Sequence, residues 1–201
     1  LLDVAFKHCL TSQKRLVRGD GSTAHEGIFD LETGEFLRQT TQQGCRGDSC
    51  WSRGLAWAIY GFTSVYEATK DPRFFEAARA CANYYIVNTP ADGVPLMDYD
   101  FPPDVEQRRE SSAAAITAAA LFRLARVVPH PAQGALYDGV ARRIITTLAT
   151  PPYLASETPG WEGILKEGIY HLDKGLGVGE SVMWGEYFFC EALDRALTPI
   201  A

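Results

Sequence analysis

The sequence predicts an all-α protein, and three observations support this expectation. Six segments carry apolar residues at helical spacing, whereas no sustained alternation of apolar and polar residues indicates a strand. Prolines and glycine-rich stretches separate these segments, as they do at helix ends. Of the 201 residues, 46% are hydrophobic and 22% are charged, a composition typical of a globular protein. We therefore expect residues 1–201 to form one continuous segment of six helices, arranged as three antiparallel hairpins, which is half of a twelve-helix α/α barrel.

The first half of the chain is expected to contain three helices. The first covers Leu1–Lys14, and a long loop rich in Gly, Thr, Gln and Asp follows over Val17–Ser52. The second helix covers about Ser52–Ala68. Asp71 precedes a proline, and because Asp favours the N-cap and Pro the first helical position, the third helix is expected at about Pro72–Val87.

The second half of the chain is expected to contain three helices and two long loops. In chain order these are the loop Asn88–Arg109, a helix capped by Ser111 or Ser112 and stopped by Pro129, a helix at Gln133–Thr150, the loop Tyr153–Glu180 and a helix at Ser181–Leu197. The fourth helix reads SSAAAITAAALFRLARVV and is apolar on more than one face. A helix of that kind is buried on all sides, so we expect it in the inner layer of the barrel.

The charge balance argues against some classes of partner. A net charge of −6 and a pI near 5.2 disfavour nucleic acid and an anionic membrane surface. No apolar run reaches the roughly 18 residues that a membrane-spanning helix needs. The first residues lack the pattern of a signal peptide, and the chain contains no Asn-x-Ser/Thr site, so we expect a cytoplasmic protein.

The five cysteines are too few and too scattered to predict a disulfide framework. Cys45 and Cys50 flank the tetrapeptide RGDS in one loop, and a structural bridge between them is one alternative. Their spacing matches neither a zinc ribbon nor a redox CxxC motif. The pattern leaves the redox state of these two thiols open.

The most informative segment is Thr40–Phe62, which reads TTQQGCRGDSCWSRGLAWAIYGF. Arg53 and Trp57 are four residues apart, so they project from the same face of a helix. An arginine binds a carboxylate through two parallel hydrogen bonds, and an indole offers an apolar face to a sugar ring. An acidic sugar is therefore the first ligand that this pattern predicts.

Each of these residues also has a structural interpretation. Arg53 suits a buried ion pair with Asp48 or Glu67. Trp51 and Trp57 are six residues apart and lie on different helix faces, where either indole can belong to the core. Because Trp57 shares the face of Arg53, it is the stronger candidate for a ligand site.

Six motifs stand along the chain in a specific order. They are VRGDGSTAHEGIFDLETG (Val17–Gly34), TQQG (Thr41–Gly44), WSRGLAWAIYGF (Trp51–Phe62), ATKDPRFFEAA (Ala68–Ala78), SSAAAITAA (Ser111–Ala119) and WGEYFFCEAL (Trp184–Leu193). In this combination the chain resembles the unsaturated glucuronyl hydrolases, glycoside hydrolases with a helical six-hairpin (α/α)6 toroid. The resemblance implies that the chain covers about three hairpins, the C-terminal half of such a toroid.

The resemblance also implies an activity. Members of the family release 4,5-unsaturated uronic acid from the non-reducing end of oligosaccharides that polysaccharide lyases produce. An acid protonates the enol-ether double bond and water adds to the neighbouring carbon, with no metal or organic cofactor. Fragments of chondroitin, hyaluronan, heparin, gellan and xanthan all fit, so the resemblance does not select among these polysaccharides.

The family's substrate-binding positions fall on His25, Gln43, Arg53 and Trp57 of this chain. From their chemistry, we expect Arg53 to bind the uronate carboxylate and Trp57 to form a stacking surface or a wall. His25 and Gln43 are expected to hydrogen-bond to ring oxygens or to the catalytic acid.

The chain departs from the family pattern in its acids. The two aspartates regarded as catalytic lie upstream of DGSTAH, so neither has a counterpart here. A catalytically inactive fragment that still binds acidic sugars is therefore the alternative to an active hydrolase. Leu55 stands where relatives commonly have Gln, and Met97 where an aromatic residue is usual. Asp98 and Asp100 flank Tyr99 in an aromatic loop and are the candidates for a catalytic acid within this chain, although loop aspartates more often fix turns.

Other residues with reactive or charged groups are expected to be structural. The remaining acids considered are Asp20, Glu26, Asp30, Asp48 and Glu186, of which Asp30 suits a turn and Glu186 a hydrogen-bonded position on the last helix. The histidines expected at surface or structural positions are His8, His130 and His171. Lys174 is a candidate contact for the far sugar or a sulfate group.

Half of a toroid exposes apolar helix flanks. We therefore expect association with a complementary N-terminal half, or of the chain with itself through the open helix edges. The expected ligand is an unsaturated uronic-acid oligosaccharide. A helical barrel of the isoprenoid type would need the metal-binding motif DDxxD, which the sequence lacks.

Overall fold

The computed structural model describes residues 1–102 and 108–198. These residues form six α-helices and two β-hairpins. The helices are α1 (Leu2–Leu16), α2 (Ser52–Thr69), α3 (Pro72–Asn88), α4 (Ser111–Val127), α5 (Pro131–Leu148) and α6 (Met183–Leu197). The strands are β1 (Glu26–Phe29), β2 (Phe36–Thr40), β3 (Gly168–His171) and β4 (Leu176–Glu180). All six predicted helices are confirmed, whereas the predicted loop at 88–109 includes residues 103–107, which lie outside the described residues.

Two helix starts show where the sequence prediction holds and where it is wrong. Asp71 caps α3, as predicted, by accepting a hydrogen bond from the N–H of Arg73, with a proline in the first turn. The predicted cap of α4 by Ser111 or Ser112 is wrong, because the cap is Glu110. Its carboxylate accepts hydrogen bonds from the N–H and the hydroxyl of Ser112. A carboxylate suits this position because the helix N-terminus carries partial positive charge.

The two β-hairpins occupy segments that the sequence analysis assigned to loops. β1 pairs antiparallel with β2, and β3 pairs antiparallel with β4. Each strand has only four or five residues, too few to show an alternating pattern. The first turn is set by Asp30, which accepts hydrogen bonds from the N–H groups of Glu32 and Thr33, and by Gly34 at φ +73°. Asp30 is thus the turn residue that the sequence predicts.

Helix α4 lies at the centre of the core. It packs against α2, α5 and α6, and every residue from Ser111 to Phe122 is buried. Its alanines allow the neighbouring helices to approach closely, which confirms the prediction of a buried inner helix. Short turns join α2 to α3 and α4 to α5, and each pair packs as a helical hairpin. Helices α2, α4 and α6 lie side by side in that order and form one layer. Helix α3 packs against α2, and α5 packs mainly against α4.

The two flanks of this layer are less well covered. Helix α1 has no buried residue, although Phe6 packs edge-on against Phe74 with 5.6 Å between the ring centroids. A groove separates α1 from α2. At the other flank, α6 exposes Met183 and Tyr187. Across residues 1–102 and 108–198, no helix is long and apolar enough to cross a membrane.

Candidate functional site

Two aspartates from a distant part of the chain hold the loop that precedes α2. Asp98 is fully buried, and its Oδ2 accepts hydrogen bonds from the N–H of Cys45 at 2.8 Å and the hydroxyl of Ser49 at 2.7 Å. Asp100 accepts a hydrogen bond from the N–H of Cys50 at 2.8 Å, and its own N–H donates to Asp98 at 2.9 Å. Both carboxylates fix the loop and neither lines the cavity described below, so this geometry lends no support to a catalytic role for them.

Arg53 occupies the first turn of α2 and is only 3% exposed. Its guanidinium lies 4.5 Å from the ring of Trp51 and 5.0 Å from the ring of Trp184. Nη1 donates a hydrogen bond to the buried carboxylate of Glu110 at 3.0 Å. Burial lowers the pKa of Arg53, and the charge of Glu110 opposes that effect. The result is a buried, mutually neutralised ion pair.

The ion partner differs from both residues that the sequence suggested. Asp48 instead pairs with Arg46 at 3.0 Å on the surface, and Glu67 pairs with Arg123. Glu110 is 57 residues from the arginine in the sequence, beyond the reach of any local spacing rule. The expectation of an ion pair with Asp48 or Glu67 is therefore wrong, although the structural interpretation of a buried ion pair holds.

The other hydrogen bonds of Arg53 connect a strand to the Gln-rich loop. Nη1 donates to the carbonyl of Ile169, and Nη2 donates to the carbonyl of Tyr170 at 2.8 Å. Nη2 also donates to Oε1 of Gln43. A uronate carboxylate, the ligand expected for Arg53, would have to displace one of these oxygens. In this geometry the arginine instead holds Gln43 and β3 in place.

His25 lies beside this network, with its ring centroid 4.3 Å from that of Trp51. Its Nδ1 accepts a hydrogen bond from the N–H of Gln42 at 3.3 Å and lies 2.9 Å from the hydroxyl of Thr41. A backbone N–H can only donate, so Nδ1 is unprotonated here and Nε2 carries the ring proton.

The surroundings of His25 favour the same neutral form. Burial is the largest cause and lowers the pKa of the imidazole below its ordinary value. Glu26 raises this pKa, whereas the charges of Arg53 and His171 lower it further. A neutral ring with its proton on Nε2 is a hydrogen-bond donor for a ligand.

A cavity of about 510 Å³ opens between α1 and α2 beside this network. His25, Gln43 and Trp51 line one end of it, and Trp57, 37% exposed, lines its wall. The guanidinium of Arg53 packs on Trp51, although Trp57 is one turn away on the same helix. The structure thus brings three of the four predicted binding residues to one cavity and places the fourth, Arg53, behind them.

Three residues of this network went unrecognised in the sequence analysis. These are Trp51 as the stacking partner of the arginine, Trp184 and Glu110. Trp184 donates from Nε1 to the hydroxyl of Ser112 at 2.9 Å, and this hydroxyl donates to Glu110. The motif WGEYFFCEAL contains Trp184 and was a usable signal. Nothing in the sequence marks Glu110 except its place directly before the Ala-rich helix.

The other candidate acids include two with clear structural partners. Asp20 accepts a hydrogen bond from the hydroxyl of Ser22 at 2.7 Å. Glu186 accepts hydrogen bonds from the N–H groups of Ile164 at 2.8 Å and Leu165 at 3.0 Å, as its predicted structural role requires.

The remaining histidines and Lys174 fall in different environments. His8 lines the cavity, and His130 is exposed directly before α5. His171 ends β3 and is buried. Lys174 is exposed in the turn between β3 and β4, and its contact with a distant sugar or sulfate stays a prediction.

Cys45 and Cys50 are both free thiols, so the bridge left open by the sequence is not formed. The sulfur of Cys50 accepts a hydrogen bond from the N–H of Thr23 at 3.4 Å, and burial raises the pKa of this thiol to about 12. In the part of the chain that the structure describes, no group of three His, Cys, Asp or Glu side chains could hold a metal ion.

Relatives match nearly the whole chain, although no protein-family model matches it. The unsaturated glucuronyl hydrolase of Bacillus sp. (strain GL1) is 34% identical over 194 residues, which cover 96% of this chain and 51% of that protein. The unsaturated chondroitin disaccharide hydrolase of Streptococcus pneumoniae (strain ATCC BAA-255 / R6) is 33% identical over 194 residues, covering 96% and 49% respectively.

Solved structures agree with this relationship. An unsaturated glucuronyl hydrolase specific for heparin superposes with a TM-score of 0.89 at 35% identity, covering 96% of this chain and 52% of that one. The Bacillus sp. GL1 structure gives a TM-score of 0.90 at 33% identity, covering 98% and 52%. The six helices accordingly form about half of an α/α toroid. The chain is therefore a relative of the unsaturated glucuronyl hydrolases that spans about half of their length.

Proposed function

We propose that this chain is part of a hydrolase that releases 4,5-unsaturated uronic acid from the non-reducing end of lyase-generated oligosaccharides. The observation that carries the proposal is the cavity at which His25, Gln43 and Trp57 meet, in a chain 34% identical to an unsaturated glucuronyl hydrolase. Relatives named for chondroitin disaccharides and for heparin support glycosaminoglycan fragments as the substrate class that we propose.

The side chains at the cavity supply hydrogen-bond donors and an apolar wall. Oε1 of Gln43 accepts from Arg53, which orients the amide so that its NH2 group is the part left for a ligand. His25 adds a donor at Nε2, because its Nδ1 is an acceptor. Trp57 supplies an indole surface for the sugar ring. Since Arg53 is neutralised by Glu110, recognition of the uronate rests mainly on these neutral donors.

The reaction needs an acid that these residues do not supply. A carboxylic acid must protonate the enol-ether carbon, and water must add to the resulting oxocarbenium carbon and lose a proton to the carboxylate. The hemiketal formed in this way opens and releases the rest of the oligosaccharide. Asp98 and Asp100 are engaged in loop hydrogen bonds, which makes them poor candidates for this acid. Following the family resemblance, we propose that the acid comes from a segment upstream of this chain and that the reaction uses no metal or organic cofactor.

The groove between α1 and α2 supports association with a complementary half. Gly54, Ala58, Gly61 and Val65 recur at intervals of four, three and four residues, so they lie along one face of α2. A methyl group added at Gly61 would meet no atom within 4 Å, so this face is open. A second cavity of about 560 Å³, also lined by Val65, continues the groove. Small residues let a second helix approach closely. We propose that a helix of the complementary half lies along the Gly61–Val65 part of the groove, which leaves the part lined by His25 and Gln43 to the sugar.

The alternative function is a catalytically inactive fragment that binds acidic sugars. This alternative uses the same binding residues as the hydrolase, but no catalytic acid is available to protonate the bound sugar. Self-association through the same groove is the corresponding alternative for the partner. A cytoplasmic location belongs to the same proposal.

The experiment is a two-part titration of this chain with an unsaturated chondroitin disaccharide from a lyase digest. Calorimetry measures binding, and loss of the enol-ether ultraviolet absorbance measures hydrolysis, for the chain alone and with a complementary half from a relative. Trp57→Ala is expected to weaken binding about fivefold to tenfold, or about 1 kcal/mol. Trp161→Ala is the matched control, because it removes a half-buried indole that does not line the cavity.

Hydrolysis that requires the complementary half supports the enzyme proposal. Binding without hydrolysis under both conditions supports the inactive binding fragment instead. If the disaccharide does not bind at all, or if Trp57→Ala and Trp161→Ala behave alike, the assignment of this cavity to acidic sugars is wrong.

A further inference from the structure

The indole of Trp57 receives little support from its own helix. On a helix surface, the neighbours of a side chain are the residues three and four positions away. Two of these four neighbours of Trp57 are Gly54 and Gly61, which have no side chain. A third, Arg53, packs its guanidinium on the ring of Trp51. Because the indole is also 37% exposed, it needs a contact from another helix to keep one orientation at the cavity.

Phe188 of α6 supplies that contact. Its ring centroid lies 5.2 Å from that of Trp57, with 71° between the ring planes, the edge-on arrangement that aromatic pairs favour. Phe188 is only 9% exposed, so its own position is fixed by packing. Helices α2 and α6 both pack against α4, whose short alanine side chains allow the two rings to meet.

Phe188 is held in turn by the next turn of α2. Tyr60 lies three residues after Trp57, and its ring centroid is 4.9 Å from that of Phe188 with 76° between the planes. The hydroxyl of Tyr60 donates a hydrogen bond at 3.1 Å to Glu191, three residues after Phe188 on α6. The guanidinium of Arg123, on α4, lies 4.7 Å from the ring of Tyr60. Two residues of α2 thus meet two residues of α6, and α4 supports the contact.

We propose that Phe188 is a positioning residue for ligand binding, which holds the indole of Trp57 in the orientation that the sugar ring meets. The inference rests on the proposed function, because Phe188 acts on the sugar only through Trp57. Within the described part of the chain, Phe188 is not among the residues that line the cavity. A fixed indole binds a ligand more tightly than a mobile one, because ordering a side chain on binding costs free energy.

The test measures affinity and the motion of the indole in the same variants. Phe188→Leu keeps an apolar side chain but removes the flat ring, whereas Phe188→Tyr keeps the ring. Phe189→Leu is the matched control, because Phe189 is the next residue on α6 and is 3% exposed within the core. Adjacent residues of a helix do not share a face, so Phe189 points in another direction. Circular dichroism first establishes that each variant is folded.

The affinities are measured by calorimetry with the unsaturated chondroitin disaccharide. Phe188→Leu is expected to bind it about threefold more weakly, because the indole must then be ordered when the ligand binds. This loss should not exceed that of Trp57→Ala, which removes the indole altogether. Phe188→Tyr and Phe189→Leu should bind like the unchanged chain. In a Trp57→Ala background, Phe188→Leu should cause no further loss, because its effect passes through the missing indole.

The Nε1–H group of Trp57 gives a readout that a merely structural role would not move. Its ¹⁵N resonance is identified by its absence from Trp57→Ala, and its heteronuclear NOE reports motion on the ps–ns timescale. In the ligand-free chain, Phe188→Leu should lower this NOE, whereas Phe188→Tyr and Phe189→Leu should leave it unchanged. The indole resonances of Trp51 and Trp161 should keep their NOE in all of these variants.

The outcomes separate this inference from the proposed function. If the unchanged chain binds the disaccharide, and Phe188→Leu binds it equally well or leaves the NOE of Trp57 unchanged, the inference is overturned and the proposed function stands. A further loss of affinity in the double variant also overturns it, since Phe188 then acts independently of Trp57. If neither Phe188 variant folds, the ring is a core residue and the inference is wrong. If the unchanged chain does not bind, the proposed function is wrong and the inference is overturned with it.

Discussion

Replacing Arg53 by methionine tests the buried ion pair that organises the site. Arg53 and Glu110 are 3.0 Å apart, and their side chains are 3% and 0% exposed. Removing one partner of a buried pair leaves the other charge unpaired, which costs about 3–5 kcal/mol. Glu110 keeps hydrogen bonds from Ser112 and from the N–H of Ile169, which partly stabilise its charge. We therefore expect a loss of about 3–4 kcal/mol, or about 6–16 °C in the melting temperature of a chain of this size.

The assay is urea unfolding followed by both circular dichroism and tryptophan fluorescence, whose transitions must coincide for a two-state analysis. Lys7→Met is the control, because its ion pair with Asp3 has a similar length of 2.8 Å but side chains 72% and 73% exposed. An exposed pair contributes about 0–1 kcal/mol, so this variant should change the free energy of unfolding little.

The double variant Arg53→Met/Glu110→Gln separates the charge effect from packing. It removes both charges while retaining an amide that can still accept hydrogen bonds from Ser112. We expect it to be more stable than Arg53→Met alone by at least about 1 kcal/mol, which is a measurable coupling energy. If Arg53→Met costs no more than Lys7→Met, or if the double variant is less stable than the single one by the full cost of a second site, a buried charged pair is the wrong description.

Two further predictions concern the histidine and the groove. The pKa of His25 is lowered from 6.5, so the unfolded chain binds more protons as the pH falls below that value. The contribution of His25 to stability is therefore present above about pH 6.5 and lost as the pH falls through its folded pKa. In His25→Gln, the melting temperature should consequently depend less on pH between pH 7 and 5 than in the unchanged chain. An equal slope in both proteins would contradict the assignment of a neutral ring. Gly61→Leu should fill the groove and prevent association with a complementary half, as measured by light scattering after size-exclusion chromatography. Gly139→Leu is the control, because it changes another helical glycine with open space around it and gains a similar helix propensity. It should leave association unaffected, and equal association of the Gly61 and Gly139 variants would exclude the groove as the interface.

The helices could be predicted because their signals are local. Asp71 and the proline after it predict the start of α3, and the Ala-rich stretch of α4 indicates a buried helix. The hairpins escaped prediction because four or five residues cannot display a convincing period of two. One local signal was nevertheless available, since Asp30 and Gly34 mark the turn of the first hairpin.

The site was only half predictable, because its residues could be named but their contacts could not. His25, Gln43 and Trp57 meet at the cavity as their motifs suggested. The role of Arg53 depends on Glu110 and Ile169, which are 57 and 116 residues away in the sequence. No spacing rule reaches that far, so the hydrogen bonds that the guanidinium makes within the protein could not be inferred from the sequence. Contact between Arg53 and the uronate stays a prediction.

These long-range contacts couple the ligand-facing side chains to the core of the fold. Glu110 caps α4 and also accepts a hydrogen bond from the N–H of Ile169, so the buried end of the central helix fixes β3. Arg53 connects the same carboxylate to Gln43 and thereby sets which end of that amide faces a ligand. A change at Glu110 should consequently alter sugar recognition without touching the cavity, because it frees the arginine that orients Gln43. The cavity wall at Trp57 takes no part in this chain of contacts, which is why its loss should weaken binding while leaving the loop and β3 in place.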